Sequence, residues 1–284
     1  MGMSGPGQST VGPVLSDAEY RSLCEWVYLQ TGMVFDDRRR DVVENRLGAR
    51  MQQHSGLSVQ QYLRRLAVDE REAREFLDLL TVNETYFFRD LPQMTVFRQV
   101  LEEMVAERRQ VPFGRLRVWS AGCSIGCEPY TLAMCIQEEL DRQRVPLEWH
   151  VLGTDISPSS LEVAESALYS DREVRDVPPD LLKKYFRRRD TWWEFSHPCK
   201  NRVQFRYSNL LRPGREVQGA FDIVFCRNVL IYFDDASRRQ VAETLFDLMV
   251  PGGYLFLGAS ESMSRISRAF QLRRVGSGFV YIRP

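Results

Sequence analysis

The stretch that most constrains this chain runs from Arg117 to Tyr130, R-V-W-S-A-G-C-S-I-G-C-E-P-Y. Val118, Trp119 and Ala121 read as the end of an apolar strand. Gly122 and Gly126 flank a turn, and Pro129 suits the first helical position, where its missing N–H costs nothing. Leu132, Ala133, Ile136 and Leu140 then recur at helical spacing. A glycine turn between strand and helix lets backbone approach a ligand closely, and a helix N-terminus favours negative charge. A nucleotide-like cofactor at the edge of a parallel sheet is the first inference.

The same residues contain G-C-S-I-G, which fits the G-x-S-x-G nucleophile elbow of α/β-hydrolases. That chemistry needs an acid and then a histidine after the serine. The histidines are His54, His150 and His197. His150 falls in the next strand, and His197 lies in a polar, aromatic segment unlike a sheet-edge loop. No histidine follows the later strands 221–226 and 253–258, so the hydrolase reading is rejected. The pattern also departs from G-x-G-x-x-G, which speaks against a nicotinamide dinucleotide.

Basic and acidic residues balance at 38 each, so the basic excess of a general nucleic-acid binder is missing. No apolar run is long enough for a bilayer span, and direct membrane insertion is not expected. Residues 1–15, rich in Gly, Ser and Pro, read as a disordered tail with no signal-peptide core. Six cysteines occur. Cys123 and Cys127 are four apart, but no second pair or nearby histidine completes a zinc set, so no metal site is expected. Unpaired thiols in apolar patterns read as a reduced, cytoplasmic protein.

Residues 16–80 read as helical. Ser16 and Ser58 are candidate caps, Asp36-Asp37 precede a second helix, and Glu70 to Leu80 form a fourth. Trp26 and Tyr62 read as core. Arg39, Arg46 and Arg50 fall on roughly one face of the second helix, either a solvated surface or a docking face for an acidic partner helix. Residues 81–92, T-V-N-E-T-Y-F-F-R-D-L-P, break the periodicity in a loop too aromatic for mere connection. From 93 to 284 strands alternate with helices, as in a doubly wound α/β domain. The strands are expected at 115–121, 148–154, 203–207, 221–226, 253–258 and 277–282. An irregular insert covers about 170–202, and a terminal hairpin ends the chain.

Asp155 lies just past the second strand, one βαβ unit after Gly122, where an acid accepts hydrogen bonds from ribose hydroxyls. Capping the helix near Ser157-Pro158 is the competing role. Asn209 ends the third strand and Asn228 the fourth. Each alone is an ordinary turn residue, but all four positions share the carboxyl edge of the sheet, where ligands bind in such folds.

These motifs resemble those of the CheR-type chemotaxis receptor methyltransferases, protein-glutamate O-methyltransferases that use S-adenosylmethionine. The resemblance covers about residues 16–284. It rests on T-V-N-E-T-Y-F-F-R, W-S-A-G-C-S-I-G-C-E-P-Y, G-T-D-I, S-N-L-L, F-C-R-N-V-L-I-Y-F and P-G-G-Y-L-F-L-G-A-S-E-S, in the family's order. It implies a class I SAM-dependent methyltransferase (Rossmann-like) domain with a small inserted β-subdomain, preceded by an all-α N-terminal domain. By the same resemblance Asn83, Thr85 and Arg89 reach the cofactor and the substrate carboxylate. Gly122 approaches the methionine moiety, and Glu128 its amino group. Asp155 takes the ribose with Ile156 beside the adenine, Asn209 and Leu210 flank the adenine, and Asn228 and Val229 line the methionine side. Tyr232 faces the substrate side of the methyl, so Arg89 and Tyr232 are the expected catalytic pair.

The implied partner is the cytoplasmic helical bundle of a chemoreceptor, reached through Arg39, Arg46 and Arg50. Cys127 stands where many relatives carry a second acid. The insert segment R-R-R-D-T-W-W-E-F-S-H-P-C-K lacks the glycine loop with which some members dock a receptor's C-terminal peptide, so no such tether is expected. The rival readings are a SAM-binding signalling module without transfer, and a methyltransferase acting on RNA or a small acid. For RNA, Arg187–Arg189 beside Trp192-Trp193 would be the surface.

Overall fold

The computed structural model describes residues 13–54, 56–108 and 114–284. The chain divides into two compact units, with the boundary between Val82 and Asn83.

The first unit is helical: α1 (Asp17–Thr31), α2 (Arg40–Met51), α3 (Val59–Leu66) and α4 (Glu70–Leu80). Three of these helices, α1, α3 and α4, start where polar side chains take up orphan N–H groups, whereas α2 follows directly on a 3₁₀ turn with no side-chain cap. Ser16 and Ser58 each form a capping box with Glu19 and Gln61, and Asp69 accepts from Glu72 N at 3.1 Å. Gly32, at φ 75°, ends α1 in the left-handed conformation that glycine enters without strain. Leu23, Val27, Val43, Leu47, Tyr62 and Phe76 are buried, with Tyr62 edge-on to Phe76 at 6.1 Å. Trp26 is only half-buried.

Two expectations need correction here. Residues 1–12 of the expected disordered tail lie outside the described residues. Its last member, Leu15, is buried, and its N–H is bound by Glu44. Leu15 occupies the position before the cap and Tyr20 the fourth helical position, the two places a hydrophobic staple uses, and both are buried. The three-arginine face of α2 is also not formed. Arg39 belongs to a short 3₁₀ turn before the helix, and Arg50 is buried. Arg50 donates to both carboxylate oxygens of Glu72, at 2.8 and 2.7 Å, and also binds Glu75. A guanidinium deprived of water needs such partners, and Glu72 lies far enough along the chain that helix periodicity alone does not reveal the pair.

The second unit opens with α5 (Leu91–Arg108) and continues with β1 (Arg115–Ala121), α6 (Cys127–Gln143), β2 (Glu148–Asp155) and α7 (Pro158–Ser166). An insert follows: β3 (Leu168–Tyr169), α8 (Asp171–Val174), α9 (Pro179–Tyr185), β4 (Phe186–Arg189) and β5 (Trp192–Phe195). The main path resumes with β6 (Val203–Tyr207), β7 (Phe221–Cys226), α10 (Asp235–Asp247), β8 (Met249–Leu257), β9 (Gln271–Val275) and β10 (Gly278–Ile282).

The main sheet has the order β6-β2-β1-β7-β8-β10-β9. Its first five strands are parallel and the terminal hairpin β9–β10 is antiparallel. All six residues of β7 are buried, as a strand covered on both faces requires. Trp119 in β1 is fully buried and gives its indole N–H to Thr154 Oγ1 in β2 at 2.9 Å, so no polar atom is stranded. The strand order reverses beside β1, which opens a crevice at the carboxyl edge. The insert forms its own antiparallel sheet, β3-β5-β4. It begins at Leu168, slightly ahead of the expected 170, because Ala167 (φ 57°) stops α7 and its carbonyl accepts from Phe195 N.

Candidate cofactor and acceptor site

β1 ends in a loop whose backbone is specialised throughout. Gly122 has φ 80°, Ser124 φ 49° and Gly126 φ 86°. Gly122 N and Cys123 N both donate to Thr154 O at the end of β2, which pins the loop to the sheet edge. A Cβ on Gly122 would run into Val229 Cγ2. A Cβ on Gly126 would stand 2.7 Å from Ala164 Cβ in α7. The helix after the loop starts at Cys127, which makes Pro129 its third residue rather than its first. The missing N–H still falls among the four that have no intrahelical partner.

Asp155 ends β2, with one carboxylate oxygen accepting from Ser124 N at 2.7 Å and the other from Ser157 N at 2.9 Å. Ser157, not Asp155, caps α7. Asp155 therefore braces the glycine loop. Ser208 N donates to its carbonyl, which brings the turn carrying Asn209 and Leu210 alongside. Asn209 Oδ1 accepts from Leu211 N at 3.0 Å, an Asx turn, and Leu210 is buried. Ile156 is partly exposed beside Asp155.

Glu128 lies in the first turn of α6. Ser120 Oγ donates to it at 2.7 Å and Arg227 Nη1 at 3.1 Å. Arg227 is buried, and its Nη2 donates to the carbonyl of Arg89 at 2.7 Å. One guanidinium thus ties the Glu128 carboxylate to the segment carrying Arg89. That segment is strained: Phe88 and Asp90, on either side of Arg89, have φ 57° and 68°. Such conformations cost about 1–3 kcal/mol each and persist where the surroundings enforce them. Phe87 provides that enforcement, fully buried and edge-on to Tyr169 at 4.8 Å and Phe186 at 5.0 Å. The Arg89 side chain donates to Glu84 O at 2.9 Å. Ser124 Oγ reaches Asn83 O at 3.4 Å, and Thr85 is partly buried between these anchors.

Asn228, at φ 59°, follows β7, and Val229 leads into the 3₁₀ turn Leu230–Tyr232. The carboxylate of Glu261 holds this loop by accepting from four backbone N–H groups: Asn228 at 2.8 Å, Val229 at 3.0 Å, Leu230 at 2.8 Å and Gly258 at 2.7 Å. Arg227, Glu261, Ser120 and Tyr169 (which gives its hydroxyl to Ile125 O in the glycine loop at 3.0 Å) were not singled out from the sequence. Arg227 and Glu261 do stand inside F-C-R-N-V-L-I-Y-F and G-A-S-E-S, beside residues that were.

The chemistry of these groups discriminates among ligands. A pyrophosphate at the glycine loop would face Asp155 and Glu128, two carboxylates it would repel. A ligand with ribose hydroxyls, an ammonium and a sulfonium suits them. Burial, with Asp155 and Glu128 adding to it, pushes the Cys123 thiol well above its ordinary pKa. Burial does the same to Cys127. Neither is a thiolate nucleophile.

Residues 83–278 match the model of the CheR methyltransferase SAM-binding domain, and residues 18–81 that of the CheR methyltransferase all-alpha domain. The chain belongs to the CheR methyltransferase family. It is a SAM-dependent methyltransferase with S-adenosylmethionine as its methyl donor. Chemotaxis protein methyltransferase 2 of Vibrio cholerae is 36% identical over 278 residues, spanning 95% of this chain and 94% of that protein. The chemotaxis protein methyltransferase of Salmonella typhimurium is 35% identical over 272 residues, spanning 94% and 91%. Among solved structures, magnesium protoporphyrin IX methyltransferase from Synechocystis with bound SAM aligns with TM-score 0.36 and 17% identity, over 80% of this chain and 96% of that one.

Proposed function

We propose that this CheR-family protein methylates glutamate side-chain carboxylates of a chemoreceptor, giving a glutamate methyl ester and S-adenosylhomocysteine. When bound, S-adenosylmethionine supplies a methyl already activated on a sulfonium. Asp155 would hold the ribose with Ile156, Asn209 and Leu210 around the adenine. Glu128 would take the amino group, with Asn83, Thr85, Gly122, Asn228 and Val229 completing the methionine side. Arg89 would orient the acceptor carboxylate by a charge-assisted pair, and Tyr232 by a hydrogen bond.

The observation that carries the acceptor's identity is the pairing of an arginine-bearing segment with a histidine-free site. His54 binds Glu72, His150 is half exposed beside Glu148, and His197 lies against Tyr185 in the insert. A carboxylate at neutral pH is already an anion and needs no general base. The protein's task is then alignment and removal of water from the acceptor. The relatives' names support a role in chemotaxis, and the family resemblance implies the cytoplasmic helical bundle of the receptor as the acceptor. No helix among the described residues is long and apolar enough to cross a membrane.

Exposed Arg39 and half-buried Arg46 remain for docking on an acidic receptor helix, without Arg50. A receptor tail is not used as a tether in this reading, since β4 and β5 are joined by Asp190-Thr191 alone, with no glycine loop.

Incubation with methyl-labelled donor and the cytoplasmic fragment of a chemoreceptor tests the proposal. The label is expected on protein and is released as methanol by mild base. Label that survives base would identify an amine acceptor and refute the ester.

A further inference from the structure

We infer that Glu261 is a positioning residue for methyl transfer, an internal anion that sets the conformation of the loop bearing Asn228, Val229 and Tyr232. The inference rests on the methyltransferase reading of that loop.

The loop leaves β7 through a left-handed residue, Asn228 (φ 59°), followed by Val229 at φ −114° and ψ −43°. Successive N–H groups in such an alternation converge on one point and form a concavity that attracts an anion. Here the N–H groups of residues 228, 229 and 230 converge on the Glu261 carboxylate, with Gly258 N as a fourth donor. An ionised carboxylate has about four lone-pair sites, and all four are used. Without it, these donors at the sheet edge would lose their partner, and the left-handed Asn228 would lose the contacts that offset its strain.

Gly258 makes room for the carboxylate. A Cβ there would stand 2.6 Å from Glu261 Oε2 and 3.1 Å from Asn228 Nδ2. On the far side, Val229 packs where Gly122 lacks a side chain, so the position of this loop is transmitted to the glycine loop. Tyr232 N donates to Val229 O at 3.1 Å, which carries the same constraint to the tyrosine. Glu261 thus acts on the reacting groups through backbone alone.

The test uses the full chain with Glu261→Ala, Glu261→Gln and Gly258→Ala. S-adenosylhomocysteine affinity is read by calorimetry, and turnover is measured well below the melting temperature, each with sodium acetate or with sodium chloride of equal ionic strength. Glu261→Ala should lower kcat about 100-fold, the scale of a misplaced reacting group, and weaken the ligand. Acetate should restore both saturably by filling the vacated concavity, and chloride should not. Glu261→Gln should fall between, and Gly258→Ala should reproduce the loss without rescue, because its methyl occupies the space.

Wild-type kcat and affinity in Glu261→Ala, or a loss that acetate leaves untouched in a folded variant, would overturn the inference. If Glu261→Ala does not fold, Gly258→Ala decides: wild-type kinetics there would overturn it equally. The calorimetric arm is independent of the acceptor, so a wrong receptor substrate would leave it readable.

Discussion

Gly122 carries two constraints at once: a φ of 80° and a Val229 methyl where its own Cβ would be. An L side chain in that conformation costs roughly 1–2 kcal/mol before any clash is counted. Gly122→Ala should therefore weaken S-adenosylhomocysteine binding by about tenfold, equivalent to about 1.4 kcal/mol. Titration calorimetry checks this, and unchanged affinity would mean that the glycine loop does not shape the pocket. Arg89→Ala should reduce methyl transfer by about 100-fold while leaving much of the cofactor affinity, and unchanged turnover would remove Arg89 from the mechanism. Gly122 and Asp155 stand out in the sequence because each punctuates a strand end, a signal contained in a few neighbouring residues. Arg227 and Glu261 give no such local signal. The partner of Arg227 is a carboxylate 99 residues away, and three of the four donors to Glu261, at 228–230, lie across a strand crossover; only Gly258 is local.

Among the elements, α2 and α4 are joined by the polar cluster around Glu72. Burial pushes its carboxyl pKa up, but bonds from Arg50, Tyr62 and His54 outweigh that and hold it at about 2. The folded value lies below the unfolded one of about 4.3. The group's stabilisation is therefore complete above the unfolded value and is lost as pH falls through the interval down to about 2. Glu72→Gln should lower stability at neutral pH by about 3 kcal/mol, since Arg50 loses a buried partner, and should flatten the acid limb of a urea-midpoint profile. An unchanged acid limb would contradict the depressed pKa. In the second unit, Phe87→Ala should cost about 3–5 kcal/mol by opening a cavity between the strained segment and the insert, with turnover falling more than a thermal midpoint alone explains. The helices of the first unit were legible because caps and apolar spacing are local. The burial of Arg50 is not legible in the sequence, because its position on α2 says nothing about Glu72 on α4.

For the whole molecule, every candidate cofactor residue falls between Asn83 and Val229, inside the unit that begins at Asn83. A fragment of residues 83–284 should bind S-adenosylhomocysteine within about threefold of the full chain, a difference below about 1 kcal/mol, and should lose transfer to receptor because Arg39 and Arg46 are gone. Equal transfer by the fragment would remove the helical unit from receptor docking. The alternation of strands and helices makes the parallel sheet readable, and Gly276 and Gly278 at a turn mark the terminal hairpin. The start of the insert is less so, since β3 has only two residues and its pairing with β5 spans the intervening helices. The most direct test of the account is a calorimetric titration of S-adenosylhomocysteine into the full chain and its Asp155→Ala variant. Saturable binding that the variant weakens by about tenfold or more is predicted. Equal affinity in both would contradict the placement of the cofactor across β1 and β2.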